Sequence, residues 1–347
     1  MKKICIVQSL VGGGGGNDVV LKHLLNTLKE NDVTVYTNSK PLMPLDVKVE
    51  TRIPIKLPFF GLYQQILGFK TPQSFSKYDI IIILSGNMVI NTVGKKMYHY
   101  NQNNFGDISD NTTSKYRSGF WSLYYFPFKQ FLKSLNKKIQ QSNIEFIANS
   151  YYIAGKMNDK YNKKCKVIYP PVDLKELQNK PKKKQVITIA RISKEKNLEE
   201  AIEIMNPLRT EYIIMGTVKA ANYEYFTLLR QKAKQRALFD VNVTRDEIIQ
   251  QLAESKVYLQ SSVETFGISV VEAIASGCIP IVPNNSGNIE TVPFDELRYN
   301  SVAEGTVKVS NALEGKYDYY LPKLQEHIQQ FDISRFKHEI TKLIENE

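Results

Sequence analysis

Five consecutive apolar residues, Ile80-Ile81-Ile82-Ile83-Leu84, stand between Asp79 and Ser85. The run is far too short for a bilayer, which takes about 20 residues. It also lacks the polar alternation of a strand with one wet face. A run of this length and composition is a strand covered on both faces, as in a parallel sheet flanked by helices. Lys3–Gln8, Val33–Thr37, Lys96–Tyr100 and Glu145–Ala148 read as its companions, separated by helical patterns. The opening residues Met1 to Val7 are read as the first of these strands and not as a leader, because Gln8 and Ser9 break the apolar stretch. Val167 to Asp173 interrupts the pattern, and Pro170-Pro171 make it a stiff, extended hinge. A second sheet follows in Gln185–Ala190, Tyr212–Met215, Lys256–Gln260 and Cys278–Val282. A chain of 347 residues exceeds what one core usually supports. The repeated alternation therefore predicts an α/β fold of two doubly wound domains, residues 1–170 and 171–330, facing across a cleft.

Charge is divided unevenly between these halves. Residues 1–170 hold 23 Lys and Arg against 10 Asp and Glu, a net of +13, whereas residues 171–347 hold 23 against 25, a net of −2. The first half is thus expected to meet an anionic partner. No recognised nucleic-acid motif accompanies the charge, so nucleic acid is not expected. Cys5, Cys165 and Cys278 show neither metal nor disulfide spacing, which suggests a reducing compartment.

The chemistry concentrates where strands give way to helices. Ser261 to Gly277 carries Glu264 in a loop after one strand and Glu272 eight positions on, within a helix that Gly277 stops. At about 1.5 Å of rise per residue the carboxylates are roughly 12 Å apart, too far to act on one bond. That spacing suits two hydroxyl-bearing ends of one long ligand, with an anion at the helix N-terminus between them. Arg191 and Lys196 leave the first strand of the same sheet, where a guanidinium and an ammonium can clamp a pyrophosphate. In the first half, Gly12 to Gly16 joins a strand to a helix expected over Asp18–Glu30, which lets the backbone approach a ligand closely. A P-loop would need Lys-Ser/Thr where Asn17-Asp18 stand. A dinucleotide fingerprint would need glycine at Asn17 and an acidic end to the strand Tyr36-Thr37-Asn38, so neither NAD nor FAD is expected.

In this order the parts resemble the retaining GT-B glycosyltransferases of family 4. The residues that carry the resemblance are Gly12–Gly16, His99 after a first-domain strand, the basic pair Arg191 and Lys196, and the glutamates Glu264 and Glu272. Gly12–Gly16, Tyr98-His99-Tyr100 and the aromatic block after Gly119 are similar to the dolichol-linked-oligosaccharide mannosyltransferases. Ala190 stands where the family usually has glycine, and Asn17-Asp18 replaces its acidic-basic pair. The resemblance implies two Rossmann-like domains, with the acceptor on the first and a nucleotide sugar on the second. The amphipathic helix of residues 331–347 would return to the first domain. Glu264, His99, Arg191 and Lys196 would be catalytic. Gly14, Gly15, Gly16, Phe266, Gly267, Ile268 and Glu272 would bind the donor, Glu272 at the ribose. Phe239 to Val243 would hold the base through its backbone. The donor would be a GDP- or UDP-hexose, mannose or glucose, transferred with retention to a lipid-linked or other glycan. No cofactor is implied. No metal is expected either, since Asp107 and Asp110, spaced three apart, form no DxD pair.

Gly119 to Phe128 is rich in aromatics and is followed by Lys129, Lys133, Lys137 and Lys138, a pattern suited to a membrane interface, with Lys56 to Tyr63 as a second contributor. This places the expected enzyme in the cytoplasm, peripheral on the cytoplasmic membrane face, with a polyprenyl-phosphate-linked acceptor. Two other readings stay open: a nucleotide-sugar epimerase of the same fold, and a non-catalytic sugar-nucleotide or membrane-binding module.

Overall fold

The structure, a computed structural model, describes residues 1–12, 15–51, 75–85, 96–102, 120–234 and 236–345. By packing, the chain divides into two compact units: Met1–Tyr169 with Phe336–Glu347, and Pro170–Arg335.

The first unit is built on a wholly parallel sheet. Its strands are β1 (Lys3–Gln8), β2 (Asp32–Thr37), β3 (Lys48–Thr51), β4 (Ile80–Ser85), β5 (Lys96–Asn101), β6 (Glu145–Ala148) and β7 (Cys165–Val167). Their order among the described residues is β3-β2-β1-β4-β5-β6-β7. The isoleucine run lies inside it, all five apolar residues buried. Alternate residues enter different cores: Ile81 and Ile83 join Cys5, Val7, Met97 and Phe146 on one face. Ile80, Ile82 and Leu84 join Ile4, Ile6, Leu21 and Leu24 on the other. Burying each such side chain is worth about 1.5–3 kcal/mol, which is why an unbroken apolar run is stable here as a strand.

The C-terminal helix Ile333–Glu345 belongs mainly to this unit. Its Phe336, Ile340 and Ile344, four apart, form one buried stripe in the second of these cores. Phe336 meets Tyr100 edge-on at 6.3 Å, Lys166 pairs with Glu339 at 2.9 Å, and the Lys2 ammonium donates to the Ile344 carbonyl at 2.6 Å. A cation on the last carbonyls also favours the helix dipole.

The second unit carries its own parallel sheet. Its strands are β8 (Lys183–Ile189), β9 (Glu211–Gly216), β10 (Ala237–Val241), β11 (Ser255–Leu259), β12 (Ile279–Pro283) and β13 (Arg298–Tyr299). Their order among the described residues is β10-β9-β8-β11-β12-β13. Counted from the first strand, this is 3-2-1-4-5-6, the doubly wound order, which reverses direction between β8 and β11. The outgoing and returning chains run side by side in this unit, where Val172 and Asp332 form an isolated parallel bridge.

The structure corrects the sequence reading in several places. The helix after the glycine loop begins at Gly16 and ends at Thr27, displaced toward the loop. The C-terminal helix starts at Ile333, after a short 3-10 turn over Ile328–Phe331. Of the segment assigned to the base, residues 239–241 are the end of strand β10 and Asn242-Val243 are loop. Strands β3, β7, β10 and β13 were not foreseen; β3 and β10 are at most half-buried, and β7 and β13 are three and two residues long. The Lys56 to Tyr63 block and the pair Asp107 and Asp110 lie outside the described residues.

Candidate active site

The strand-order reversal leaves a crevice at the carboxyl ends of β8 and β11, the place where doubly wound sheets bind ligands. Two loops meet there. After β8 the chain makes a 3-10 turn over Lys194–Lys196 and passes through Asn197 in a left-handed conformation, φ 46°. After β11 it runs through Gln260 to Phe266 before the helix Ile268–Ala275. Ser261 Oγ donates to the Lys196 carbonyl at 3.2 Å, and Asn197 Nδ2 donates to the Ser261 carbonyl at 3.4 Å. These bonds bring Lys196 Nζ to 2.6 Å from Glu264 Oε1, with each side chain about one-fifth exposed, at 20% and 22%. At this distance the pair is a charge-assisted hydrogen bond.

The Glu264 carboxylate is held from behind by a buried polar chain. Tyr258 OH donates toward Gln260 Oε1 at 3.0 Å, Gln260 Nε2 to Ser262 Oγ at 2.6 Å, and Ser262 Oγ to Glu264 Oε1 at 2.6 Å. Tyr299 OH steadies Gln260 through its carbonyl, at 3.0 Å. Among the described residues every donor to this carboxylate meets on Oε1. A linked network of this kind fixes one rotamer and leaves the second oxygen for an incoming group. Arg191 leaves β8 beside Lys196, but its partner is Glu195 at 3.5 Å, and it stays half-exposed.

The helix that follows depends on two glycines. Gly267, its N-cap, has φ 93°, and both Val270 and Val271 donate to its carbonyl. Gly287 lies against the same loop. Its N–H donates to the Glu264 carbonyl at 2.7 Å, and a Cβ there would sit 2.0 Å from the Thr265 carbonyl oxygen. Asn288 Oδ1 presses on Gly267, where an added Cβ would lie 2.2 Å away. The loop after β12, Asn284 to Asn288, therefore supports the Glu264–Gly267 loop. The sequence reading missed it, although Asn284-Asn285-Ser286-Gly287 after an apolar strand is turn chemistry at a carboxyl edge. Phe266 is buried against Phe331, rings 5.0 Å apart and edge-on. It anchors the loop from inside.

Glu272 lies on the helix Ile268–Ala275, its side chain only 12% exposed. Burial pushes its carboxyl above the usual carboxylate range, and the Arg245 guanidinium opposes that shift from 2.7 Å. Arg245 also reaches Glu176 at 2.9 Å. No sequence signal pointed to Arg245, because a single arginine after a capping threonine is ordinary in a chain. Val243 is half-buried in the loop between β10 and the helix Arg245–Glu254. Its neighbour Asn242, φ 60°, donates its N–H to the Gly216 carbonyl at 2.6 Å and accepts from the Val218 N–H at 3.2 Å. The loop is thereby tied to the end of β9.

The remaining candidates belong to the first unit. Gly15 caps the helix that Gly16 opens, and Gly14 lies outside the described residues. Asp18, which departs from the expected acidic-basic pair, closes the glycine loop: its Oδ1 accepts from the Gly12 N–H at 3.0 Å and from Gln8 Nε2 at 2.8 Å. His99 sits within β5, buried, with its ring 5.8 Å from that of Phe146. The structure thus joins Lys196 to Glu264 directly, and gives Glu272 a partner the sequence did not suggest.

Two parallel, doubly wound sheets, the second with a cation–carboxylate pair at its switch point, have the architecture of the GT-B fold. Solved structures agree in fold: Anabaena Alr3699/HepE in complex with UDP and glucose superposes with a TM-score of 0.77 at 17% identity, over 100% of both chains. WaaG, a glycosyltransferase involved in lipopolysaccharide biosynthesis, does so with 0.71 at 14% identity, over 98% of this chain and 99% of that one. Residues 171–300, within the second unit, match the family Glycosyl transferases group 1. The chain is also 24% identical over 325 residues to the GDP-Man:Man(3)GlcNAc(2)-PP-Dol alpha-1,2-mannosyltransferase of Dictyostelium discoideum, covering 83% of this chain. It spans 60% of that relative's length.

Proposed function

We propose that the protein is a metal-independent, retaining hexosyltransferase that takes its sugar from a GDP- or UDP-hexose and gives it to a lipid-linked glycan acceptor. The observation that carries this reading is the Lys196–Glu264 pair, 2.6 Å apart at the switch point and backed by Gln260 and Ser262. Glu264 offers its second oxygen to a donor-sugar hydroxyl, and Lys196 with Arg191 faces the diphosphate. When the anomeric carbon–oxygen bond breaks, negative charge grows on the leaving diphosphate. Lys196, Arg191 and the amides at Gly267 and Ile268 oppose that charge, as pre-aimed dipoles and cations do in low dielectric. The leaving phosphate takes the proton of the attacking acceptor hydroxyl. Glu272 receives the ribose hydroxyls, and the backbone at Val243 receives the base. Mannose from GDP is favoured by the Dictyostelium relative, whose name gives a GDP-mannose donor and a dolichol-linked acceptor. UDP is favoured by the complexes of the Anabaena structures. In the first unit we keep Gly15, Gly16 and His99 as ligand-facing candidates and assign the acceptor to that unit.

A thermal-shift panel of GDP, UDP and their mannose and glucose conjugates tests the donor. The correct nucleotide at about 100 times its Kd stabilises the fold by about 2.7 kcal/mol. A flat panel sinks the reading. With the donor known, transfer that survives EDTA and yields a product of unchanged anomeric configuration completes it.

The acceptor is drawn from a membrane surface. The helix Phe120–Gln141 exposes Leu123 at 72% and Phe126 at 57%. Lys129, Lys133 and Lys137 are exposed on the same side, at spacings of three, four and seven from Phe126 and one another. An apolar tip followed by lysines suits an anionic bilayer at its cytoplasmic face, and no helix among the described residues is long and apolar enough to cross one. Leu123→Ser with Phe126→Ser is expected to cut partition onto phosphatidylserine vesicles at low salt by about tenfold or more, given the area removed. Unchanged sedimentation with vesicles sinks the membrane reading and leaves the donor reading standing.

A further inference from the structure

Arg245 occupies an electrostatically poor place. It is the first residue of the helix Arg245–Glu254, behind a capping box in which Thr244 Oγ1 accepts from the Glu247 N–H at 3.3 Å and Glu247 Oε2 accepts from the Thr244 N–H at 2.7 Å. The first turn of a helix carries the positive end of its dipole and favours anions, as the adjacent Asp246 and Glu247 illustrate. A cation there is sustained by what it reaches. Arg245 reaches two carboxylates on different elements: Glu272 on the helix Ile268–Ala275, at 2.7 Å, and Glu176 on the segment leading to β8, at 2.9 Å. The two partners differ. Glu176 is 42% exposed, in the range where such pairs contribute little, whereas Glu272 is only 12% exposed. A buried carboxylate without a cation is strongly disfavoured, and a planar guanidinium fixes its direction as an ammonium cannot.

Resting on the assignment of Glu272 to the ribose, we propose that Arg245 is a positioning residue for donor recognition, one that turns the Glu272 carboxylate toward the ribose hydroxyls and sets the preference for a ribonucleotide. A carboxylate accepts from both hydroxyls of a cis-diol, while a protonated or rotated carboxyl gives up one of those bonds. Burial disfavours the charged form of Glu272, and Arg245 is the group that opposes this. The reading adds Arg245 to the donor site without giving it contact to the reacting atoms.

The test uses the full chain and two probe pairs: GDP with 2′,3′-dideoxy-GDP, and UDP with 2′,3′-dideoxy-UDP. Titration calorimetry gives each Kd for the wild type, Arg245→Ala, Arg245→Lys and Glu272→Gln. In the wild type the preferred ribonucleotide binds at least tenfold tighter than its dideoxy form. Arg245→Ala is expected to weaken the ribonucleotide about tenfold and leave the dideoxy nucleotide within twofold. Arg245→Lys, which keeps the charge and serves if the alanine variant folds poorly, is expected to recover part of the preference. Equal weakening of both forms by Arg245→Ala, or a full wild-type preference in both Arg245 variants while Glu272→Gln loses it, overturns the proposal alone. A full preference in Glu272→Gln overturns the ribose assignment and the proposal with it.

Discussion

Transfer by Glu264→Gln and by Lys196→Ala is expected to fall about 10²–10³-fold in kcat/KM, the loss typical of removing one preorganised charge-stabilising group. The two residues are one unit, Nζ 2.6 Å from Oε1, so their effects should not add. In Glu264→Gln the side chain keeps its shape, and Ser262 and Gln260 still have an oxygen to meet, so the fold should persist. The negative charge that orients the Lys196 ammonium is gone, along with the carboxylate oxygen proposed to accept from a sugar hydroxyl. In Lys196→Ala the cation proposed to face the leaving diphosphate is lost, and Glu264 keeps its bonds from Ser262 and Gln260. Steady-state kinetics and thermal melting together read the result. Wild-type kcat/KM in both variants would remove the site from this part of the molecule. A collapsed melting temperature in both would make the pair structural.

Gly287→Ala is expected to lower both stability and donor affinity, through backbone alone. A methyl at this position would lie 2.0 Å from the Thr265 carbonyl oxygen and 3.0 Å from that of Glu264. One of the two loops must move, and overpacking of this kind costs about 1–3 kcal/mol. In a domain of this size that is a drop of roughly 4–8 °C in Tm for about 2 kcal/mol. The Gly287 N–H holds the Glu264 carbonyl at 2.7 Å, so the displacement reaches the Glu264 side chain. A shift near 1 Å in a positioning group can reduce rate about 10²-fold. Gly155→Ala, in the helix Tyr151–Tyr161, is the control. Nothing lies within 4 Å of its added methyl, and alanine is the better helix former by about 0.5–1 kcal/mol. Equal melting temperatures and equal donor KM for the two variants would mean that the loop after β12 does not support the site.

The legible parts of the fold were those whose physics is local. The isoleucine run had to be a strand buried on both faces, and Gly277 had to end a helix, which it does at φ 84°. Strands β3, β7, β10 and β13, the four sheet edges, escaped because a short, half-covered edge has too few apolar residues to show a period. In the second unit, Glu264, Lys196 and Arg191 stand where a strand gives way to a turn, and Glu272 lies within the helix that follows Gly267, so the sequence could place them at one sheet edge. Their partners it could not place. Asp18 looked like a lost family residue and turns out to close the glycine loop through the Gly12 N–H. Arg191 pairs with Glu195 at 3.5 Å, a neighbour the sequence reading had not given it.

From its amino acids alone this chain had to make two parallel, doubly wound sheets with charged loops at their carboxyl edges. Unbroken apolar runs of strand length, separated by amphipathic helices and divided by Pro170-Pro171, allow little else. Which charges meet was decided by strand order. Lys196 finds Glu264, 68 residues away, because β8 and β11 are neighbours in the sheet. Arg245 finds Glu272 because the helices that bear them flank β11, one ahead of it and one after. Apolar patterning specifies that a strand is buried and leaves open beside which other strand, since one covered edge resembles another. The long-range packing that makes that choice also brings the cations to the carboxylates.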